Sequence, residues 1–373
     1  MKNVLQFIGS FNQGGSERQA VQLALLLQAE GSFNVRLATL ENAGVLRAEV
    51  EKRGFAEIPE FRLTSFYDAN FVKQLMRAAR FMRENKIEII HTHDFYTNIF
   101  GMLSAQLAGV PLAIASKRET GGMRSRWQTR FEKFAFRQAN AIVANSEAVK
   151  NYLITEGVPG AKIKVVYNGL DLERLTPEIT DRKKICDELG LPADENIKFI
   201  TLVANLRHTV KNQSMFLRAA QKVLEKFPDA HFVLAGEGEL RAGLENLAKE
   251  LKIAENTHFT GRCEKVPELL SISFAGVLTS FNEGFSNAIL EYMAARLPVV
   301  ATRVGGACEA ITENETGFLV ESDDAEMLAN YLIELLQDEA KARKFGARGR
   351  EIVEEKFSCA AQLEKTLRLY GKV

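Results

Sequence analysis

Cysteine is scarce in this chain, with four residues (Cys186, Cys263, Cys308 and Cys359) among 373 and no C-x-x-C spacing. That scatter excludes a disulfide framework and a thiolate metal site, and it predicts reduced thiols in a cytosolic protein. Long apolar runs are missing too. Val4–Ile8 is broken by Gln6, and no later stretch approaches the roughly 18 apolar residues of a membrane span. Net charge is absent, because 48 Lys and Arg balance 48 Asp and Glu, and no nucleic-acid partner is expected. Familiar phosphate and nucleophile signatures are lacking. Gly14-Gly15 falls short of G-x-G-x-x-G, and Gly236–Gly238 is not followed by Lys-Ser/Thr. No G-x-S-x-G elbow surrounds Ser146, so a helix N-cap is expected there. Solenoid repeats and low-complexity segments are also absent.

What is present is a layered α/β pattern. Hydrophobic residues form 46% of the chain, ample for packed layers, and the length favours two domains over one. Strands are expected at Val4–Ile8, Val35–Leu40, Ile87–His91, Leu112–Ala115, Ala141–Ala144 and Lys164–Tyr167. A second series follows at Phe199–Ala204, His231–Ala235, Thr257–Thr260, Gly276–Thr279, Val299–Ala301 and Phe318–Val320. Amphipathic stretches such as Ser16–Ala29 and Asn70–Glu84 lie between them. Near-continuous apolar strands alternating with helices predict two parallel, doubly wound sheets.

The polar stretch Asn168–Lys184, which contains Pro177, is the expected linker. It places a first domain at 1–168 and a second at 169–356. Residues 1–172 carry 22 basic and 16 acidic side chains, and the remainder carry 26 and 32. The basic half could meet an anionic acceptor or an acidic membrane surface; alternatively, six charges spread over a large surface mean nothing. The tail from Asp324 to Val373 is helical in pattern throughout.

The most informative stretch is Glu283-Gly-Phe-Ser-Asn-Ala-Ile-Leu-Glu291, followed by Tyr-Met-Ala-Ala-Arg-Leu-Pro-Val-Val-Ala-Thr. Two carboxylates bracket a loop that becomes a helix, a little over two turns apart. The backbone N–H groups of Phe285, Ser286 and Asn287 fall at the helix N-terminus, where unpaired donors and partial positive charge suit a phosphate. Other notable pieces are Gly14-Gly15-Ser16-Glu17, His91-Thr-His93-Asp94, Asn168-Gly169-Leu-Asp171, Asn205-Leu-Arg207-His-Thr-Val-Lys211, Ala235-Gly236-Glu237-Gly238 and Thr260-Gly261-Arg262. Each follows a candidate strand, and ligands in open α/β sheets bind beyond the carboxyl ends of strands.

Together, and in this order, these motifs resemble those of the retaining family-4 (group 1) glycosyltransferases over nearly the whole chain. The resemblance implies the GT-B fold: two Rossmann-like doubly wound domains facing across a cleft. In that arrangement the first domain binds the acceptor and the second the nucleotide-sugar donor. It also implies that the last helix, from about Phe357 to Val373, packs back onto the first domain.

Sugar transfer from a nucleotide donor builds charge on the departing diphosphate and oxocarbenium character on the ring, so positive groups and carboxylates are needed. Lys211 and Arg207 are the candidate phosphate ligands, a point charge and a fork. The family spaces these two residues five apart, whereas here the spacing is four. The resemblance assigns Glu291 to the ribose hydroxyls, Glu283 to the donor sugar, and His93 or its neighbour Asp94 to the reacting sugar. His91, two residues before His93 on the same strand face, is expected to pack under the sheet. No third ligand at a recognisable spacing accompanies the two histidines as a metal site. Gly14 and Gly15 offer a close backbone approach near the diphosphate and acceptor. Arg262 completes the donor-binding set with Phe285, Ser286 and Asn287.

No Asp-x-Asp, the metal-holding pair of the other main glycosyltransferase architecture, occurs in the chain. Neither a cofactor nor a metal is therefore expected, with Lys211, Arg207 and a helix N-terminus neutralising the leaving group. The expected reaction moves a hexose or N-acetylhexosamine from a nucleotide sugar, on family grounds a UDP-sugar, to an acceptor hydroxyl with retention. Its setting would be polysaccharide or glycolipid assembly. Two rivals stand beside it: a nucleotide-sugar 2-epimerase-like isomerase of the same fold, and a non-catalytic nucleotide-sugar-binding partner.

The segment 123–137 raises a separate expectation. On a helix, Arg126, Arg130, Lys133 and Arg137 fall in one stripe, with Trp127, Phe131 and Phe134 beside it. One reading is an aromatic face packed in the core with a solvated basic flank. The other is an interfacial helix that docks the first domain on the cytosolic face of an anionic membrane, near a sugar or lipid-linked acceptor.

Overall fold

Each half of the chain lays down one six-stranded parallel sheet. The structure is a computed structural model, which describes all residues except 13, 122–124, 372 and 373. The chain divides into two compact units, Met1–Gly169 with Cys359–Val373, and Leu170–Ser358.

The first unit runs β1 (Lys2–Ile8), α1 (Gly15–Glu30), β2 (Phe33–Thr39), α2 (Arg47–Lys52), α3 (Ala69–Glu84) and β3 (Ile89–Thr92). It continues through α4 (Phe95–Ala108), β4 (Leu112–Lys117), α5 (Arg126–Gln138), β5 (Ala141–Ala144), α6 (Glu147–Thr155) and β6 (Ile163–Val165). Every residue of β3, β4 and β5 is buried; β5 is apolar throughout, whereas β3 ends in His91 and Thr92 and β4 in Ser116 and Lys117. Short polar side chains set the helix starts. Asp68 accepts from the Phe71 N–H at 2.8 Å, and Ser146 accepts from the Val149 N–H at 3.0 Å. Gly31 and Gly109 close α1 and α4 in the left-handed conformation.

The second unit runs β7 (Lys198–Val203), α8 (Gln213–Leu224), β8 (Ala230–Ala235), α9 (Arg241–Glu250), β9 (Thr257–Gly261), α10 (Val266–Ser271) and β10 (Ser273–Leu278), with α7 (Arg182–Leu189) ahead of β7. There follow α11 (Asn287–Ala294), β11 (Val299–Thr302), α12 (Ala307–Ala310), β12 (Gly317–Val320), α13 (Ala325–Gln337) and α14 (Glu339–Lys356). The last helix, α15 (Cys359–Tyr370), belongs to the first unit, where Leu369 and Tyr370 join Val4, Ile89 and Ile114 in one core face. Phe7, Phe61, Ile90 and Phe100 fill the opposite face, with the Phe7 and Phe100 rings edge to face at 5.7 Å.

Strand order is β2-β1-β3-β4-β5-β6 in the first sheet and β12-β11-β10-β7-β8-β9 in the second. Each sheet reverses its winding once, between β1 and β3 and between β7 and β10. At such a point the outgoing loops diverge to opposite faces and leave a crevice at the carboxyl end. In the second sheet α11 is seated closely on β10. A Cβ on Gly276 would lie 2.2 Å from Tyr292 Cγ, and the Tyr292 hydroxyl accepts from the Val203 N–H at 2.6 Å. That contact fixes where the α11 N-terminus emerges.

Candidate active site

The switch point of the second sheet carries an ion pair. The loop leaving β7 tightens into a short turn, Thr209–Lys211, and the loop leaving β10 is laced to it. The Phe281 N–H donates to the Val210 carbonyl at 2.8 Å, and Thr279 Oγ1 donates to the Lys211 carbonyl at 2.9 Å. Held this way, Lys211 Nζ reaches Glu283 Oε1 at 2.5 Å, and Ser280 Oγ donates to the same oxygen at 2.8 Å. The side chains are 22% and 12% exposed, so the charges are largely withdrawn from solvent yet open on one side.

Backbone packing holds Glu283 from below. Gly305 has φ +52°, and a Cβ there would lie 2.0 Å from the Glu283 carbonyl oxygen, while the Gly306 N–H donates to the Gly284 carbonyl at 2.8 Å. Phe285 is buried, its ring 5.2 Å from that of Phe357. Ser286 takes the N-cap position of α11 without a side-chain cap bond, and Asn287 begins the helix. The positive end of the helix dipole therefore lies four residues from Glu283. Glu291, one turn beyond Asn287, is half-buried on the same helix.

Two other candidate cations pair elsewhere. Arg207 lies at the end of the β7 loop nearer the strand, and its guanidinium meets Glu237 at 3.1 Å, both side chains more than half exposed. Arg262 follows β9, the edge strand, and stands 3.7 Å from Glu264.

The first unit carries a second polar cluster at its own switch point. Gly14 is the N-cap of α1 and Gly15 its first residue. The Glu17 carboxylate folds back against Gly14, where a Cβ would meet Oε2 at 2.1 Å. Asp94 caps α4, accepting from the Tyr96 and Thr97 N–H groups at 2.9 and 3.0 Å and from Thr97 Oγ1 at 2.9 Å. His93 is buried with both ring nitrogens engaged. Its Nε2 meets Gln6 Oε1 at 2.7 Å, and its Nδ1 faces Arg118 at 3.5 Å.

The hydrogen-bond network assigns each proton. Arg118 only donates, so His93 Nδ1 must accept, His93 Nε2–H must donate, and Gln6 must present its oxygen to His93. Gln6 Nε2 then donates to the Tyr370 hydroxyl at 2.7 Å. That hydroxyl donates to His91 Nδ1 at 2.9 Å, and His91 Nε2 donates to Ser116 Oγ at 2.8 Å. One directional chain thus runs from Arg118 to Ser116, with the two imidazoles stacked at 4.5 Å.

Electrostatics keeps both imidazoles neutral. Burial, reinforced by Arg118, pushes His91 down to about 3. Burial, with His91 and Arg118 adding to it, holds His93 well below its ordinary value. Burial also lowers Arg118 to about 10 against the attraction of Glu17. Glu17 and Asp94 are both raised, chiefly by burial. Sequence reasoning passed over Arg118, Gln6 and Tyr370. A cation directly after a buried apolar strand was a usable signal for Arg118, whereas Tyr370 on a distant helix offered none.

Both halves of the chain match family models. The family model described as Glycosyltransferase Family 4 matches residues 13–174, and the one described as Glycosyl transferases group 1 matches residues 182–352. The chain is 30% identical over 280 residues, 72% of its own length and 71% of the relative's, to the UDP-Gal:alpha-D-GlcNAc-diphosphoundecaprenol alpha-1,3-galactosyltransferase of Escherichia coli. It is 30% identical over 298 residues, 78% and 75% of the two chains, to the N-acetyl-alpha-D-glucosaminyl L-malate synthase of Bacillus anthracis. Among solved structures, Anabaena HepE in complex with UDP matches with a TM-score of 0.87 and 19% identity over 100% of both chains. Sucrose-phosphate synthase from Thermosynechococcus elongatus matches at 0.79 and 21% identity, over 100% of this chain and 99% of that one. The fold is GT-B, and the chain belongs to the family-4, group 1 glycosyltransferases.

Proposed function

We propose that this glycosyltransferase moves a hexose or N-acetylhexosamine from a UDP-sugar to an acceptor hydroxyl, with retention and without a metal ion. The second unit binds the donor and the first binds the acceptor. The observation that carries this reading is the Lys211–Glu283 pair, 2.5 Å apart at the switch point, four residues before the start of α11. A cation and a helix N-terminus close together supply the positive field that a departing diphosphate requires. Glu283 orients the ammonium and is placed to take hydroxyls of the donor sugar, and Glu291 takes the ribose. His93, neutral and fully bonded, acts through Arg118. Arg207 and Arg262, paired with carboxylates at the surface, contribute after exchanging those partners for the donor. The relative from Escherichia coli uses UDP-Gal by its name, and HepE has been solved with UDP and with UDP-glucose, which supports the choice of donor.

The test uses the whole chain, UDP-glucose, UDP-galactose and their N-acetylhexosamine counterparts, with EDTA present. Transfer to an acceptor glycoside, with the anomeric coupling of the product matching that of the donor, is the expected result. Activity that disappears with EDTA and returns with magnesium or manganese overturns the metal-free mechanism, and an inverted product overturns retention.

A second reading concerns location. Residues 123 and 124 of the segment 123–137 lie outside the described residues, and the rest forms the start and body of α5. Its core face is Glu132, Ala135 and Phe136, with Glu132 paired to buried Lys117 at 2.8 Å. Trp127, Phe131 and Phe134 are 66%, 43% and 46% exposed, so these aromatics do not pack in the core. Arg126, Arg130 and Arg137 share that exposed surface, whereas Lys133 is paired with Glu156 at 2.7 Å. No helix among the described residues is long and apolar enough to cross a membrane. Exposed aromatics among arginines fit peripheral docking on the cytosolic, anionic leaflet, where a lipid-linked acceptor is presented. Co-sedimentation with phosphatidylglycerol vesicles, reduced by Arg126→Glu/Arg130→Glu, supports it; equal binding by the variant rejects it.

A further inference from the structure

Helices α3, α4 and α5 lie side by side over one face of the first sheet, where Leu75, Phe100 and Phe136 meet in a common core. A surface helix with its apolar side buried is expected to turn polar residues outward. α3 departs from that rule. Leu75, Ala78 and Met82 go inward, yet Val72 and Met76, one turn apart on the outer side, are both more than half exposed. Tyr67, in the loop before α3, is 81% exposed, and its ring meets that of Phe131 on α5 at 6.2 Å. Phe66 beside it stacks on Tyr96 of α4 at 5.7 Å. The loop therefore joins the exposed aromatics of α5 to the start of α4, and one apolar face spans all three helices.

Charge selects what covers this face. α3 carries four basic residues and a single acid, Glu84; α4 carries no charged residue; α5 carries four basic residues and a single acid, Glu132. Both acids are already paired, Glu84 with Arg80 at 2.7 Å and Glu132 with Lys117 at 2.8 Å. Asp68 in the loop is occupied too, capping α3 through the Phe71 N–H. A second copy of the chain would set one basic face against another, which like charges oppose. An anionic lipid leaflet matches both properties at once, with headgroups for the cations and acyl chains for the apolar side chains. Arg130 already lies over the Trp127 ring at 5.0 Å, a cation and an amphipathic ring paired as such a boundary favours.

We propose that the loop at 66–67, α3 and α4 join α5 in a single leaflet-inserting face, whose Tyr67, Val72, Met76 and Tyr96 side chains enter the acyl boundary of an anionic membrane. The inference rests on the peripheral docking proposed for α5, and deepens it from adsorption of one basic helix to insertion of a three-helix face. Tyr96 is the second residue of α4, whose cap Asp94 belongs to the polar cluster at the first sheet's switch point. Seating the face sets that cluster at the level of the lipid headgroups, so the acceptor it favours is one anchored in the leaflet.

Trp127, the single tryptophan, reports on the seating. The full chain is mixed with vesicles of phosphatidylglycerol and phosphatidylcholine, with vesicles of phosphatidylcholine alone, and with phosphatidylglycerol vesicles brominated on the acyl chains. Tyr67→Ser/Met76→Ser removes apolar surface without changing charge and leaves α5 intact. Both positions are exposed, so the variant should melt like the wild type. The wild type should prefer the phosphatidylglycerol vesicles, with Trp127 emission shifted to the blue and quenched by the brominated chains. The variant should bind at least about tenfold more weakly. Wild-type binding by the variant overturns the inference while leaving the α5 reading, which Arg126→Glu/Arg130→Glu tests separately. Binding without a blue shift or quenching also overturns it, as adsorption at the headgroups alone, and so does equal binding to phosphatidylcholine. A dimer in solution that the variant dissolves assigns the face to a second copy and overturns it as well. Failure of the wild type to bind any vesicle overturns both this inference and the docking of α5.

Discussion

Lys211 and Glu283 are 72 positions apart in the chain, yet their charged atoms stand 2.5 Å from one another. They meet because β7 and β10 are neighbours in the sheet although not in sequence. The pairing keeps two charges tolerable in a partly buried place. Removing either one leaves the other uncompensated, which is costlier than the pair itself.

Lys211→Ala should therefore lower kcat by about 100- to 1000-fold, with a smaller loss of UDP affinity. In the proposed mechanism the ammonium matters most as the diphosphate departs. Steady-state kinetics on a folded variant, with calorimetry against UDP, separates the two effects. An unchanged kcat would remove Lys211 from the chemistry.

Glu291→Ala should show the opposite division. In the proposed role the ribose is bound alike in ground and transition states, so the loss belongs to binding. Weakening of UDP by about tenfold to a hundredfold is expected, in line with hydrogen bonds to a charged acceptor. Calorimetry that returns wild-type affinity would dismiss the ribose role.

Gly305→Ala should disturb the site without touching a charged group. A φ of +52° and a Cβ 2.0 Å from the Glu283 carbonyl leave the new methyl no room. Strain of about 1–3 kcal/mol is expected at such a position, with weakened UDP binding as the Glu283 loop moves. Urea unfolding followed by circular dichroism measures the first effect. A variant as stable as the wild type would show that the loop yields freely.

The stacked His91 and His93 predict a pH dependence of stability in the first unit, beside that of a second stacked pair, His231 and His258, in the second. Their folded values lie below the ordinary one, so the stability they contribute is complete above about 6.5 and is lost on acidification, for His91 down to about 3. Glu17 and Asp94, both raised, act in the opposite sense and moderate the fall. Between pH 7.5 and 5, the wild type should lose about 2 kcal/mol more than His91→Gln. Trp127 is the single tryptophan and lies in the first unit, so its fluorescence during urea unfolding follows that unit. Equal losses in the two proteins would mean that His91 is not held neutral by its surroundings.

Much of this was written locally. Twelve expected strands match the twelve described ones, most plainly where both faces are buried and the run is apolar, as in β5 and β11. Ser146 caps its helix as its isolation from any nucleophile elbow implied. Glu283 through Asn287 leads into a helix start, as the local motif implied. The α5 aromatics mark a limit. Periodicity placed Trp127, Phe131 and Phe134 on one side, but a stripe does not say what faces it, and Phe136 proved to be the aromatic turned inward.

The sequence by itself determined the elements, their order and the family, because period, capping and short motifs are properties of adjacent residues. Tertiary structure decided which charges meet. Lys211 found Glu283 while Arg207, four residues earlier, turned to Glu237. Tyr370 closed a chain to Gln6 from 364 positions away, and Gln6 in turn meets His93. Such contacts depend on strand order and on which helix covers which face, and charge-to-charge distances follow from that packing rather than from spacing along the chain.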